Sequence, residues 1–383
     1  MGKTEINTLI LTNKFPPSFD GVGHYSDNLY HLLKMRGIKV GVVTTQSNVF
    51  DFERNNQADV FPIAPNWSFK GCYMLLKIIN QKQVNNLLIQ YVPYSYSKSG
   101  VPFIFVFFLV FMRMKGIKIH TNFHEIAIRF SGEGFLSKIR SIVQRTLAYL
   151  ICSFSNSIQT SNSYYKSLLM PFQSKLIPIP SNFEKLILEK VDMEFDIDNI
   201  IVIAVNANRC NNNFFEVIYE LKKLSKKDFK IIVIGRAYDD DLAFIEKKIN
   251  ELSLNTFFQI SVNATEETFI NCMKNAKLYI QLETVMANKF GGVSSKSGTI
   301  ATAMQLGIPI ITTCGDMTDT SIFRNGINVC FVDYNDALST AQLIDNLSGD
   351  LQQLKLLRKS AITAYHQYFK WEHTINYYLQ LVA

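Results

Sequence analysis

Residues 199–235 read NIIVIAVNANRCNNNFFEVIYELKKLSKKDFKIIVIG. Asn199–Val205 is of strand length, apolar after its first residue and rich in β-branched residues. After a polar stretch, Phe214–Leu224 spaces Phe, Val, Ile and Leu as one face of a helix does. Lys230–Gly235 then repeats the first pattern. Strands that are apolar throughout are covered on both faces, and a helix between two of them is the crossover of a parallel pair. The segment reads as β-α-β.

The alternation continues in both directions. Toward the C-terminus come helix Asp240–Leu252, strand Phe257–Ile260, helix Glu266–Asn275 and strand Leu278–Leu282. A long loop, helix Gly298–Leu306, strand Ile308–Thr313 and a helical end from Asp336 complete that half. The N-terminal half shows a separate series: strand Thr8–Thr12, helix His24–Met35, strand Lys39–Thr44, strand Leu87–Tyr91, a Phe-rich helix, strand Ile117–Thr121, helix Leu136–Cys152, and strands Ser157–Thr160 and Lys175–Ile179. The expected fold class is therefore α/β, with two Rossmann-like doubly wound domains facing across a cleft. The PIPSNFE segment Pro178–Glu184 marks the boundary. The expected domains are 1–180 and 181–360, with 361–383 a C-terminal helix packing back toward the first. In such sheets ligands bind outside the C-terminal ends of the strands.

Length and composition fit this reading. The 383 residues are 48% hydrophobic and 19% charged, enough to fill two cores. The six cysteines form no CxxC and no zinc spacing, so reduced buried thiols are expected. No secretory signal is read in the opening residues, and the apolar run Val101–Met112 falls short of the roughly 20 residues a spanning helix needs. The expected location is cytoplasmic, at the inner face of the cell membrane. Residues 1–180 carry 19 Lys and Arg against 8 Asp and Glu, while residues 181–383 carry 20 against 24. A basic N-terminal half suits an anionic partner, for which a membrane surface or a phosphate-bearing substrate is preferred to nucleic acid.

Three segments have chemical potential. Phe15–Tyr25 (FPPSFDGVGHY) follows the first strand, and Gly21 and Gly23 let a ligand approach the backbone at a helix start. A plain βα turn would look the same. Ser294–Gly298 (SSKSG) puts Ser295, Lys296, Ser297, Gly298 and then Thr299 before a helix, which suits a diphosphate or, equally, an ordinary N-cap. His120–Glu125 (HTNFHE) ends a strand with a histidine that could donate to a sugar hydroxyl or serve structure alone. The acidic run Asp239–Asp241 sits at a helix start, where capping accounts for it. No hydrolase or pyridoxal motif is present, and neither half has a clean GxGxxG.

These residues, taken in order, resemble the GT-B retaining glycosyltransferases of family 4. Phe15-Pro16-Pro17 with Asp20 to Tyr25 is similar to that family's first glycine loop, and Gln90–Tyr94 with Gly100–Pro102 to a following stretch. Phe123-His124-Glu125 matches the segment holding its active-site histidine, and Ile179–Asn182 its domain junction. Ser294–Pro309 with Thr312-Thr313 resembles the donor loop of a sub-group. The family's paired glutamates fall on Ser294 and Thr302, and within Asn206–Asn213 Arg209 is the only cation. The resemblance implies sugar transfer from a nucleotide-diphosphate donor, with retention and without a metal or other cofactor. His124 is assigned to the sugar, Gly21 and Gly23 to a sugar-phosphate cradle, and Arg209, Lys296 and the Ser295–Thr299 turn to the diphosphate. The expected partners are a nucleotide sugar, a saccharide or lipid-linked saccharide acceptor, and an anionic membrane touched peripherally. No nucleic acid is expected. The alternative is a non-catalytic GT-B binding or partner subunit.

Overall fold

The computed structural model describes residues 6–16, 21–45, 59–63, 66–130, 134–187, 201–285 and 291–382. The expectation for Asp20, and for the start of the strand from Asn199, lies outside the described residues. The chain divides into two compact units, Met1–Pro178 with Glu372–Ala383, and Ile179–Trp371.

The first unit holds strands β1 (Thr8–Leu11), β2 (Val40–Thr45), β3 (Val60–Ile63), β4 (Asn86–Tyr91), β5 (Lys118–Phe123), β6 (Ser157–Thr160) and β7 (Lys175–Leu176). They form one parallel sheet in the order β3-β2-β1-β4-β5-β6-β7. Its helices are α1 (Gly21–Met35), α2 (Phe69–Lys82), α3 (Pro93–Tyr96), α4 (Phe103–Met114), α5 (Phe135–Phe154) and α6 (Ser163–Leu168).

The second unit holds β8 (Ile201–Asn206), β9 (Phe229–Gly235), β10 (Phe258–Val262), β11 (Leu278–Gln281), β12 (Ile310–Thr313) and β13 (Cys330–Val332), also all parallel, in the order β10-β9-β8-β11-β12-β13. Its helices are α7 (Asn212–Leu224), α8 (Asp239–Glu251), α9 (Glu266–Lys274), α10 (Gly298–Gln305), α11 (Ala337–Gly349) and α12 (Leu351–Ala364), followed by a π-helical turn at Tyr365–Phe369. The last helix, α13 (Trp371–Val382), has all but its first residue in the first unit.

Strand alternation in the second unit feeds two cores. Ile203 and Val205 of β8 point to one, with Phe214 and Leu221 of α7. Ala204 between them points to the other, with Ile300 and Met304 of α10. This two-faced burial is why the strands read as continuous apolar runs.

Strands β3 and β13 and helix α2 are not among the elements expected from the sequence. β3 (VFPI) contains Pro62, which a sheet accepts at an edge, and β3 pairs only with β2. α2 contains Gly71, where a Cβ would collide with the carbonyl oxygen of Asn66. β13 is three residues long. The cysteines are all unpaired, and four are buried as expected, whereas Cys272 is half-buried and Cys314 exposed. Among the described residues no helix is long and apolar enough to cross a membrane.

Candidate functional site

In each unit one point of the sheet sends successive crossovers in opposite directions. In the first it lies between β1 and β4, because α1 leads away to β2 while α4 leads the other way to β5. In the second it lies between β8 and β11. Loops diverge at such points and leave room for a ligand above the strand ends.

At the first point Tyr96 ties the two strand ends together, its hydroxyl donating to the carbonyls of Leu11 (2.9 Å) and Gln90 (3.2 Å). Beside it His124 directly follows β5, and its backbone amide donates to the Tyr91 carbonyl at 3.0 Å. Gln90 Oε1 lies 2.8 Å from His124 Nε2 and accepts from Asn122 Nδ2 at 3.2 Å. Asn122 Nδ2 also lies 3.3 Å from His124 Nε2. The ring also meets the edge of Tyr25, with centroids 5.1 Å apart. His124 is thus 8% exposed and belongs to a buried polar cluster. Tyr378 of α13 completes the cluster. Burial pushes its phenol up to about 12 against the pull of Tyr25, Gln90 and Asn122, and burial with Tyr378 raises Tyr25 well above the ordinary value.

Gly21 opens α1 with nothing within 4 Å of where a Cβ would stand. Gly23 has a structural reason to be glycine, since its Cβ would sit 3.0 Å from the Lys14 carbonyl oxygen. His120, the other histidine of the HTNFHE segment, lies inside β5. Its Nδ1 is 2.9 Å from Ser157 Oγ, and burial beside Lys118 lowers its pKa to about 4.

At the second point a chain of side chains crosses from β8 to β11. Asn206 Nδ2, at the end of β8, donates to Thr299 Oγ1 (3.0 Å) and Tyr279 Oη (3.2 Å). Tyr279 Oη donates to Gln281 Oε1 (2.8 Å), and Gln281 Nε2 to Glu283 Oε1 (2.7 Å). Glu283 closes the chain on Arg209, whose Nε lies 2.9 Å from Oε1. Burial holds the Tyr279 phenol far above the ordinary range, although the Arg209 charge works the other way. Burial raises the Cys210 thiol pKa steeply, which favours the protonated thiol.

The Ser294–Thr299 turn splits into two roles. Ser295 is fully buried, and its Oγ donates to Asp319 Oδ2. Ser297 caps α10, its side chain accepting from the Ile300 amide. Lys296, Ser297, Gly298 and Thr299 are half-buried, and the first turn of α10 carries no acid of its own to offset the positive end of the helix dipole. Asp239–Asp241 sits in the first turn of α8, where Asp241 accepts from the Tyr238 amide at 2.9 Å, which is a capping role. Among the described residues no group of His, Cys, Asp and Glu could hold a metal ion.

No protein-family model matches the chain, and no curated protein matches its sequence. Solved structures do match its backbone. Sucrose-phosphate synthase from Thermosynechococcus elongatus superposes with a TM-score of 0.74 at 13% identity, covering 98% of each chain. Anabaena HepE, in complex with UDP and glucose, gives 0.67 at 14%, covering 98% of this chain and 99% of its own. An α-glucosyltransferase in complex with UDP and a 13-mer DNA gives 0.62 at 14%, covering 99% of each. The fold is GT-B. At these identities the likeness establishes the architecture expected from the sequence, two Rossmann-like parallel-sheet units.

Sequence reasoning had placed Arg209 and Thr299 among the diphosphate residues, and both belong to the side-chain chain at the β8/β11 point. It missed Asn206, Tyr279, Gln281 and Glu283. The spacing of the last three, two residues apart, was the available signal, since one side of a strand presents alternate residues. It also missed Gln90, Asn122, Tyr25 and Tyr378 around His124.

Proposed function

We propose that the chain transfers a glycosyl group from a nucleoside-diphosphate sugar, with a uridine diphosphate sugar as the first donor to test. The observation that carries this reading is the β8/β11 switch point: Arg209 follows β8, and the acid-free N-terminus of α10 with Lys296 lies in the connection from β11 to β12. UDP in two proteins of the same fold supports the choice of base.

In this reading Arg209, Lys296 and the α10 dipole hold the diphosphate and stabilise the charge it gains as the bond from the sugar anomeric carbon to the β-phosphate oxygen breaks. The acceptor oxygen forms its bond on the same face, and its proton passes to the departing phosphate oxygen, giving retention without a protein base. Charge neutralisation by side chains and amides leaves no role that requires a metal, so transfer should persist in EDTA. Arg209 is held by Glu283, and the diphosphate would replace or share that partner. Gly21, with open space where a Cβ would stand, and the buried polar cluster of His124 are the first-unit residues to test for a part in sugar binding. The acceptor we favour is a lipid-linked saccharide in surface polysaccharide assembly, on the strength of the basic first unit, over the DNA seen with one neighbour.

The test is a thermal-shift screen with UDP, GDP and their sugars, followed by mass-spectrometric detection of product with a membrane extract as acceptor. The Arg209→Ala, Lys296→Ala double variant should lose most of both signals. Wild-type rates in that variant would remove the diphosphate assignment, and a wild-type protein that binds no nucleotide would favour a non-catalytic binding subunit.

A further inference from the structure

Helices α2, α4 and α5 make the crossovers β3 to β4, β4 to β5 and β5 to β6, all in the same direction across the sheet. Right-handed crossovers therefore place all three on one face of the first unit. They are neighbours there, with α4 packed against both α2 and α5. Their inner sides supply core residues such as Leu75, Phe105 and Ile151.

Their outer sides are also apolar. Eleven of the twenty-three large hydrophobic residues exposed among the described residues lie on these three helices. Phe69 is 77% exposed, Phe107 65% and Phe135 76%. On α4, Phe103, Phe107, Phe111 and Met114 make one outward stripe at helical spacing. An apolar area of this extent on a soluble-type fold marks an interaction surface.

The charge around it identifies the partner. The three helices carry seven Lys and Arg and no acid. Residues 60–183 hold thirteen Lys and Arg against two acids, Glu125 and Glu133. Lysines lie over the rings at this surface, Lys77 Nζ 4.6 Å from the Tyr73 centroid and Lys115 Nζ 5.2 Å from that of Phe111. By contrast the outward-lying α8 of the second unit carries Asp239, Asp240, Asp241, Glu246 and Glu251. Aromatic and aliphatic groups among cations, without acids, match the boundary between anionic headgroups and acyl chains. At 20 residues α5 is about 30 Å long, enough for a broad flat contact, while α4 at 12 residues is too short to span.

We propose that the outer face of α2, α4 and α5 docks on an anionic lipid bilayer. The Phe107 and Phe135 rings enter the headgroup–acyl boundary, and Lys138, Arg140 and their neighbours lie over lipid phosphates. This does not depend on the donor reading, because it concerns another surface and needs no nucleotide.

The experiment is flotation of the full chain with vesicles of phosphatidylcholine alone, or with about 30 mol % phosphatidylglycerol. Binding to the anionic vesicles only, weakened by salt, is expected. Phe107→Ser with Phe135→Ser, and separately Lys138→Glu with Arg140→Glu, should each lower the vesicle partition coefficient roughly tenfold. Melting temperature and the UDP-induced thermal shift should stay at wild-type values in both. Failure of the wild-type chain to float with anionic vesicles, or undiminished flotation of both variants, would overturn the proposal. So would a concentration-dependent dimer abolished by the Phe substitutions in a chain that does not float, which would give the face to a second copy. Loss of the UDP shift in wild type would strike the donor reading alone.

Discussion

Tyr279, Gln281 and Glu283 alternate along β11 and just beyond it, and their side chains run as a hydrogen-bonded file toward Arg209. The file shows how a single residue can be read from chemistry in the sequence yet be placed by a partner that was not. Gly21 and Gly23 separate in the same way. Gly21→Ala adds a methyl group to open space in the first turn of a helix, so the melting temperature should hold or rise slightly. If the sugar passes over that backbone, glycosyl transfer should fall several-fold. Gly23→Ala pushes a methyl group against the Lys14 carbonyl and should lower the melting temperature. A Gly21→Ala enzyme with full activity would remove the cradle role.

His120 gives a pH prediction. Its folded pKa is about 4, depressed by burial and by Lys118, whereas an unfolded histidine titrates near 6.5. Between those values the unfolded chain binds more protons than the folded one. The contribution of His120 to stability is therefore present above pH 6.5 and lost as pH falls toward 4, by about 3 kcal/mol in all. His120→Gln keeps a polar partner for Ser157 without a titrating group. Calorimetry at pH 7 and pH 5 should show a smaller drop in melting temperature for the variant than for wild type.

At the scale of elements, α10 shows why position 302 takes a threonine and not an acid. Thr302 is fully buried, and its hydroxyl donates to the Gly298 carbonyl at 2.8 Å and lies 2.9 Å from Ser181 Oγ. A carboxylate there would be an unpaired buried charge. Thr302→Glu should lower stability by several kcal/mol, read as a large fall in melting temperature, and should not improve nucleotide binding. A stable Thr302→Glu protein with tighter UDP binding would contradict this.

The elements also show what the sequence made legible. α7 was visible because it buries one periodic stripe, and strands such as β8 and β9 because burial on both faces makes them nearly continuous apolar runs. β3, with Pro62 at an edge, and the three-residue β13 have no such burial pattern. Site residues divide similarly. Arg209 and Thr299 stood out as types suited to phosphate. Asn122 lies two residues before His124, but Gln90 and Tyr378 reach it only through long-range folding, with separations that no local pattern encodes.

At the scale of the whole molecule, the first unit is not continuous in sequence. The second unit ends at Trp371, whose indole Nε1 donates to the Ser181 carbonyl at 2.8 Å and whose amide donates to Glu184 Oε2 at 2.9 Å. The same carboxylate oxygen accepts from Tyr365 at 2.7 Å, so the exit of the chain is fixed to its entry within that unit. Beyond it α13 buries Thr374, Ile375, Tyr378 and Val382, and Tyr378 lies in the cluster with Tyr25 and His124. Emptying that position should therefore weaken the first unit and spare the second. Tyr378→Ala is expected to cost about 3 kcal/mol, as removal of a large buried aromatic does. Scanning calorimetry of the full chain, with limited proteolysis to assign the transitions, should show the melting of the first unit shifted down and that of the second unchanged. An equal shift of both transitions would mean that α13 stabilises the second unit as much as the first.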